Sequence, residues 1–195
     1  MNYSSIILAA GTSGRMGIPK ISLEFDENHN FAEQLCERFN TPECKKIILV
    51  VNNNGAELVK TKNFVLSDKT EIVINNHTER GRFYSLKCGL SKCDNLSPVF
   101  FTNIDNPFVK ADIIYNLINE LQDADYVCPV FKAKGGHPVL ISPKIISKIF
   151  IEKDDSINLK IFLKNYKRKN VEVDDNRILA NINTREEYDK WFPKT

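Results

Sequence analysis

Short runs of consecutive apolar residues alternate along the chain with stretches in which apolar residues recur every three or four positions. The runs lie at Ser5–Ala9, Ile47–Val51, Glu71–Ile74, Val99–Asn103, Tyr126–Val130, Val139–Ile141 and Asn170–Val173. They are rich in β-branched and aromatic residues and read as strands. Between them, Phe83, Leu86, Leu90 and Cys93 form one helical stripe. Ile113, Ile114, Leu117, Ile118 and Leu121 form a second, and Ile145, Ile146, Ile149 and Phe150 a third. Asn30, with Gln34 shortly after it, opens a further helical stretch, and Asp112 and Ser156 are candidate caps for later ones. Uninterrupted apolar runs suit strands covered on both faces. Strands alternating with helices predict an α/β fold with a mostly parallel sheet. Ligands bind such sheets beyond the C-terminal ends of the strands, so the residues that follow each run matter most.

Length and composition narrow the field. The 195 residues suit one domain spanning 1–195. A net charge of +2, evenly spread, argues against nucleic acid and membrane partners. The apolar run beginning at Ile6 ends in a glycine-rich turn instead of a cleavage site or a membrane-length stretch, so no targeting segment is expected. The five cysteines are odd in number and contain no CxxC pair, which excludes a disulfide scaffold and points to a reducing cytoplasm. Cys88 and Cys93, with His77 nearby, match no common zinc spacing. The basic stretch Lys164–Asn170 reads as a solvated helix end and turn.

The first strand is followed by Ala10-Gly11-Thr12-Ser13-Gly14-Arg15-Met16-Gly17-Ile18-Pro19-Lys20. Glycines let a backbone turn sharply and present N–H groups to an anion, and Arg15 and Lys20 add full positive charge. A triphosphate requires both kinds of group. The loop is not a P-loop, because Ile18 and Pro19 separate Lys20 from Gly17 and Ile21 follows it; nor does it have the GxGxxG spacing of a dinucleotide site. A tight turn with surface charges is the bland alternative.

LAAGTSGRMGIPK, residues Leu8–Lys20, resembles the LAAGxSxRMGxxK signature of the MobA-like nucleotidyltransferases, which include molybdenum cofactor cytidylyltransferases and guanylyltransferases. The resemblance implies a three-layer α/β/α nucleotidyltransferase fold with a mostly parallel, mixed sheet. It implies that the backbone at Ala10 and Gly11 faces the base. Gly11, Thr12, Ser13 and Gly14 then cradle the triphosphate, with Arg15 and Lys20 on the phosphates. Asn75–Gly89 looks like the family's element for base and ribose, with Ser85 and either Asn75 or Asn76 as contacts. Asp105, beyond an apolar strand and before Asn106-Pro107, matches the family's metal-binding aspartate and implies Mg2+ as cofactor. His137, in Gly136-His137-Pro138-Val139, is placed on the acceptor side; it either bonds an acceptor phosphate or anchors its loop.

The closing element, Asn181-Ile182-Asn183-Thr184, departs from the cytidylyltransferase pattern, where both asparagines are aspartates. Asn181 is carried over as a second metal ligand or water holder, with Asn183 facing the same way. Thr184 is also suited to cap a helix, with Glu186 and Glu187 in its first turn.

The reaction implied is in-line attack by an acceptor phosphate on the α-phosphorus of a nucleoside triphosphate, with pyrophosphate leaving. Ala9-Ala10 resembles the cytidylyltransferase branch, since guanylyltransferases usually have glycine at the second position, whereas Asn181-Ile182-Asn183-Thr184 resembles the guanylyltransferase branch; CTP is the expectation. Molybdopterin is the best-known acceptor, and a molybdoenzyme is then a partner. The alternatives are a sugar- or alcohol-phosphate cytidylyltransferase, and a non-catalytic nucleotide-binding cofactor carrier.

Overall fold

Each of the apolar runs forms a strand in the computed structural model, which describes residues 1–193. In chain order the elements are β1 (Tyr3–Ala9), α1 (Phe31–Phe39), β2 (Cys44–Val51), α2 (Asn53–Thr61) and β3 (Thr70–Ile74). Then come α3 (Gly81–Leu90), β4 (Val99–Asn103), α4 (Ala111–Glu120), β5 (Tyr126–Phe131), β6 (Lys134–Gly135) and β7 (Val139–Ile141). The chain closes through α5 (Pro143–Ile151), α6 (Leu159–Leu163), β8 (Arg168–Glu172) and α7 (Arg185–Trp191). The sheet is mixed. Strands β3, β2, β1 and β4 are parallel neighbours, β7 lies antiparallel between β4 and β5, and β8 runs parallel on the other edge of β5.

The two faces of the sheet account for the uninterrupted apolar runs. Ile7, Leu49, Val51 and Phe100 point into one layer with α1, α2, α4 and Tyr188 of α7. Ile6, Ile48, Val50 and Phe101 point into the other with α3, α5 and α6. Side chains alternate along a strand, so each residue of Ser5–Ala9 and Ile47–Val51 must be apolar or small to serve one layer or the other. α3 approaches the sheet closely through Gly89, where a Cβ would stand 2.8 Å from Ile6 Cγ2.

Several local expectations shift by a few residues. Asn30 caps α1, but Glu33 and not Gln34 completes the reciprocal pair, with bonds of 3.0 Å to Glu33 N and 2.9 Å back to Asn30 N. Gln34 is buried instead. Lys110 stands at the cap position of α4 and Asp112 lies in its first turn, bonding the amide of Ile113. Asn158, not Ser156, caps α6. Cys93 lies past the end of α3, in the turn that follows. Arg168–Asn170, read from sequence as part of a solvated turn, begins β8, because Tyr126–Cys128 of β5 offer a free edge that pairs with them.

β6 and β7 share one edge of β5 but not one register. Val127 faces Leu140, so unbroken pairing would set Val130 opposite His137; it faces Gly135. The extra chain between them bulges out around Gly136 and His137 and carries the imidazole off the ladder. Among the described residues, no helix is long and apolar enough to cross a membrane.

Candidate active site

β1 lies between β2 and β4, and Leu8 pairs with Asn103. The loop after β1 and the turn after β4 therefore open side by side at one edge of the sheet. Within the loop, Ser13 and Gly17 take left-handed backbone angles, with φ of 52° and 74°. Met16 is buried and pins the loop to the core, and Ser13 Oγ accepts from Lys20 N at 3.2 Å. Asn52, the cap of α2, donates from Nδ2 to Ala10 O at 3.1 Å. Gly11, Thr12, Gly14 and Arg15 are exposed. Among the described residues, no backbone N–H from Gly11 to Gly14 donates to another group of the chain, which leaves these donors for an anion.

Three segments far apart in sequence meet at Lys20. Its Nζ lies 3.3 Å from Asp105 Oδ2 and donates at 2.6 Å to Asn183 Oδ1. The Lys20 and Asp105 side chains are 13% and 17% exposed, so the pair is largely shielded from solvent. The turn bearing Asp105 is clamped to the closing segment: Ile182 N donates to Asp105 O at 2.9 Å, and Asn106 Nδ2 donates to Ala180 O. Asp105 Oδ1 is buried with no hydrogen-bond partner. A buried carboxylate oxygen with a free lone pair suits a cation ligand.

Among the described residues, no group of three or more His, Cys, Asp or Glu side chains could hold a metal. A divalent ion beside Asp105 would draw its remaining ligands from phosphates, water and amide oxygens, as magnesium prefers.

Around this pair lies a cleft of about 370 Å3. Ala10, Gly11, Ser13, Arg15, Lys20, Ser85, Asp105 and Asn181 all line it, together with Asn183. Thr12 faces a smaller cavity of about 120 Å3 behind the loop, with Asn52 and Gly55, and Gly14 lines neither. Asn75 stands behind the wall. Its Nδ2 donates to Ser85 Oγ at 2.9 Å and its Oδ1 accepts from His77 N at 2.7 Å, so it orients Ser85 from within the core.

His137 lies in an adjoining cavity of about 300 Å3 that shares Arg82 and Asn103 with the first. One Asn103 Nδ2 hydrogen goes to Asn106 Oδ1 at 3.1 Å and the other meets His137 Nε2 at 3.2 Å. Nε2 is thereby the acceptor and Nδ1 carries the proton. Burial drives the His137 pKa down to about 4, opposed by the nearby Asp105 charge. The ring is neutral at ordinary pH.

Arg82, Asn103 and Lys160 line these cavities without having been singled out in the sequence, and Lys164 and Arg168, read there as part of a solvated helix end and turn, line the second. Arg82 lies inside the segment that carries Asn75 and Ser85, and Asn103 ends a strand at the cleft; position in the motif was the available signal.

The chain was compared with known proteins. A family profile described as "MobA-like NTP transferase domain" matches residues 5–167. No curated protein matches by sequence. Rv0371c from Mycobacterium tuberculosis H37Rv is similar in structure, with a TM-score of 0.81 at 18% identity over 100% of this chain and 98% of that one. A second structure of that protein, a complex with manganese, gives 0.77 at 15% identity over 100% and 99%. The 4-diphosphocytidyl-2C-methyl-D-erythritol synthase from Anaerococcus prevotii DSM 20548 gives 0.73 at 20% over 97% and 94%. The molybdopterin-guanine dinucleotide biosynthesis protein A from Archaeoglobus fulgidus gives 0.69 at 15% over 96% of each chain. At these identities the likeness establishes the fold, while the profile spans most of the sequence. The chain belongs to the MobA-like NTP transferase family and is a nucleotidyltransferase.

Proposed function

We propose that the enzyme transfers CMP from CTP to a phosphorylated small-molecule acceptor and releases pyrophosphate, with a divalent cation, Mg2+, as cofactor. The observation that carries this reading is the meeting of Lys20 and Asp105, 85 positions apart, at 3.3 Å beneath a loop of free amides. The manganese complex of a structural relative supports a divalent ion. When bound, such an ion supplies charge neutralisation between phosphates.

The chain's own residues do the rest. The amides of Gly11 to Gly14 hold the polyphosphate, and Arg15 and Lys20 oppose charge that builds on the α-phosphate and leaving group. Asp105, with Asn181 at the cleft wall, would hold the cation. Ser85, oriented by Asn75, faces the nucleoside side. An ionised acceptor phosphate is already nucleophilic, so the protein's task is positioning and charge stabilisation.

CTP is favoured because Ala9-Ala10 leaves no glycine at the second position to admit a larger base. Molybdopterin, implied by the family resemblance, is the first acceptor to test, and a molybdoenzyme would then receive the product. The free thiols Cys36, Cys44, Cys88, Cys93 and Cys128 suit a reducing cytoplasm. Pyrophosphate release followed with each of the four triphosphates and Mg2+ should be fastest with CTP. Faster turnover with GTP overturns the base assignment, and binding without turnover on any acceptor favours a nucleotide carrier.

A further inference from the structure

The cavity beside the nucleotide cleft carries charge of one sign only. Its floor is the sheet face with Phe101 and Val139, and one wall is α6. Leu159 and Leu163, four apart on α6, are buried, and Lys160 of that helix and Lys164, at its C-terminal cap, line the same cavity. Arg82 stands where the two cavities join, and Arg168 reaches in from the first residue of β8. Among the described residues, no acidic side chain lines this cavity.

Arg168 is separated from its neighbours by strand alternation. Lys167 pairs with Asp123 and Lys169 with Glu120 at 3.1 Å. Arg168 points to the other face, against Cys128 and Gly135. A Cβ on Gly135 would meet Arg168 Nη2 at 2.5 Å, so glycine there leaves the guanidinium its place. Among the described residues, Arg82, Lys160, Lys164 and Arg168 make no ion pair. Like charges facing one cavity repel one another and are relieved by an anion.

An acceptor phosphate placed where the two cavities join would be met by Arg82, which lines both. The other three cations do not line the nucleotide cleft and exceed what that phosphate requires. We propose that the acceptor carries a second anionic group, a carboxylate or another phosphate, held by Arg168, Lys160 and Lys164 on the side away from the nucleotide. This rests on the reading that a phosphorylated acceptor occupies the cavity, and it points away from molybdopterin, which carries a single phosphate and no carboxylate.

Calorimetry on the full chain, at one fixed ionic strength, tests it with two probes. 3-Phosphoglycerate has both a phosphate and a carboxylate, and glycerol 3-phosphate lacks the carboxylate. The first binds about tenfold or more tightly than the second, the worth of one charge-assisted contact. That preference is lost in Arg168→Gln and in the double variant Lys160→Gln/Lys164→Gln, and Arg168→Lys retains part of it. Thermal melting establishes which variants are folded; Arg168→Gln, at an exposed position, carries the test if the double variant does not fold. Equal or undetectable binding of the two probes overturns the proposal, as does a preference that survives in the folded variants. CTP binding, measured on the same samples, separates the two readings. If CTP binds and the probes are indistinguishable, only the second anion is refuted; if CTP fails to bind, the nucleotide assignment falls as well.

Discussion

The proposed reaction gives Lys20 two roles that differ in time. Its ammonium lies between Asp105 Oδ2 and Asn183 Oδ1, at 3.3 and 2.6 Å, and neutralises a carboxylate of the cleft. A divalent ion arriving at Asp105 meets that positive charge at close range, where shielding from water makes repulsion strong. On the proposed reading, polyphosphate draws the ammonium toward itself and removes the obstacle. The nucleotide-free protein should therefore bind Mn2+ weakly, and Lys20→Gln should bind it more tightly, read as free Mn2+ by electron paramagnetic resonance. Unchanged or weaker binding by the variant would show that Lys20 does not guard the carboxylate. Asp105→Asn keeps the shape but loses the charge, and turnover should drop about a hundredfold or more. A drop of less than about threefold would remove Asp105 from the mechanism.

At the scale of elements, the bulge between β6 and β7 decides how the two cavities meet. Gly136 N donates to Pro129 O at 2.8 Å, and His137 N donates to Ile178 O at 3.1 Å, so the bulge is tied to β5 and to the segment ahead of the asparagine pair. A Cβ on Gly136 would lie 2.4 Å from Ile178 O, a backbone atom that cannot rotate away. Gly136→Ala should cost about 1–3 kcal/mol of stability in urea denaturation through overpacking. Stability equal to the parent would mean that the two segments separate without penalty. Helix α2 shows why this scale was only partly legible in sequence. It buries only Gly55, Ala56 and Val59, too small a stripe to announce a helix, whereas Ile113, Ile114 and Leu117 of α4 are readily seen.

Across the whole molecule, the interior holds one imidazole away from its ordinary protonation. His137 is kept neutral with its pKa lowered by burial to about 4, below the ordinary value of 6.5. Between those values the unfolded chain binds a proton that the folded chain refuses. The resulting stabilisation is complete above about pH 6.5 and is lost as pH falls toward 4. His137→Gln should lose less stability than the parent over that interval when both are melted at a series of pH values. Parallel curves for the two proteins would mean that the ring titrates freely.

The alternation of strands and helices, the caps at Asn30 and Thr184, and the glycine-rich loop with its cations were legible because each depends on residues close together in sequence. Periodicity, capping and turn chemistry are local, and a run apolar at every position announces burial on both faces whatever its neighbours. Tertiary structure alone decided which strands lie side by side. That order brings Lys20 against Asp105 and Asn183, sets Asn75 behind Ser85, and places the exposed Arg168 in the wall of a cavity. Such placements depend on the pairing of β1 with β4 and of β5 with β8, contacts between segments whose separation in sequence leaves no local trace.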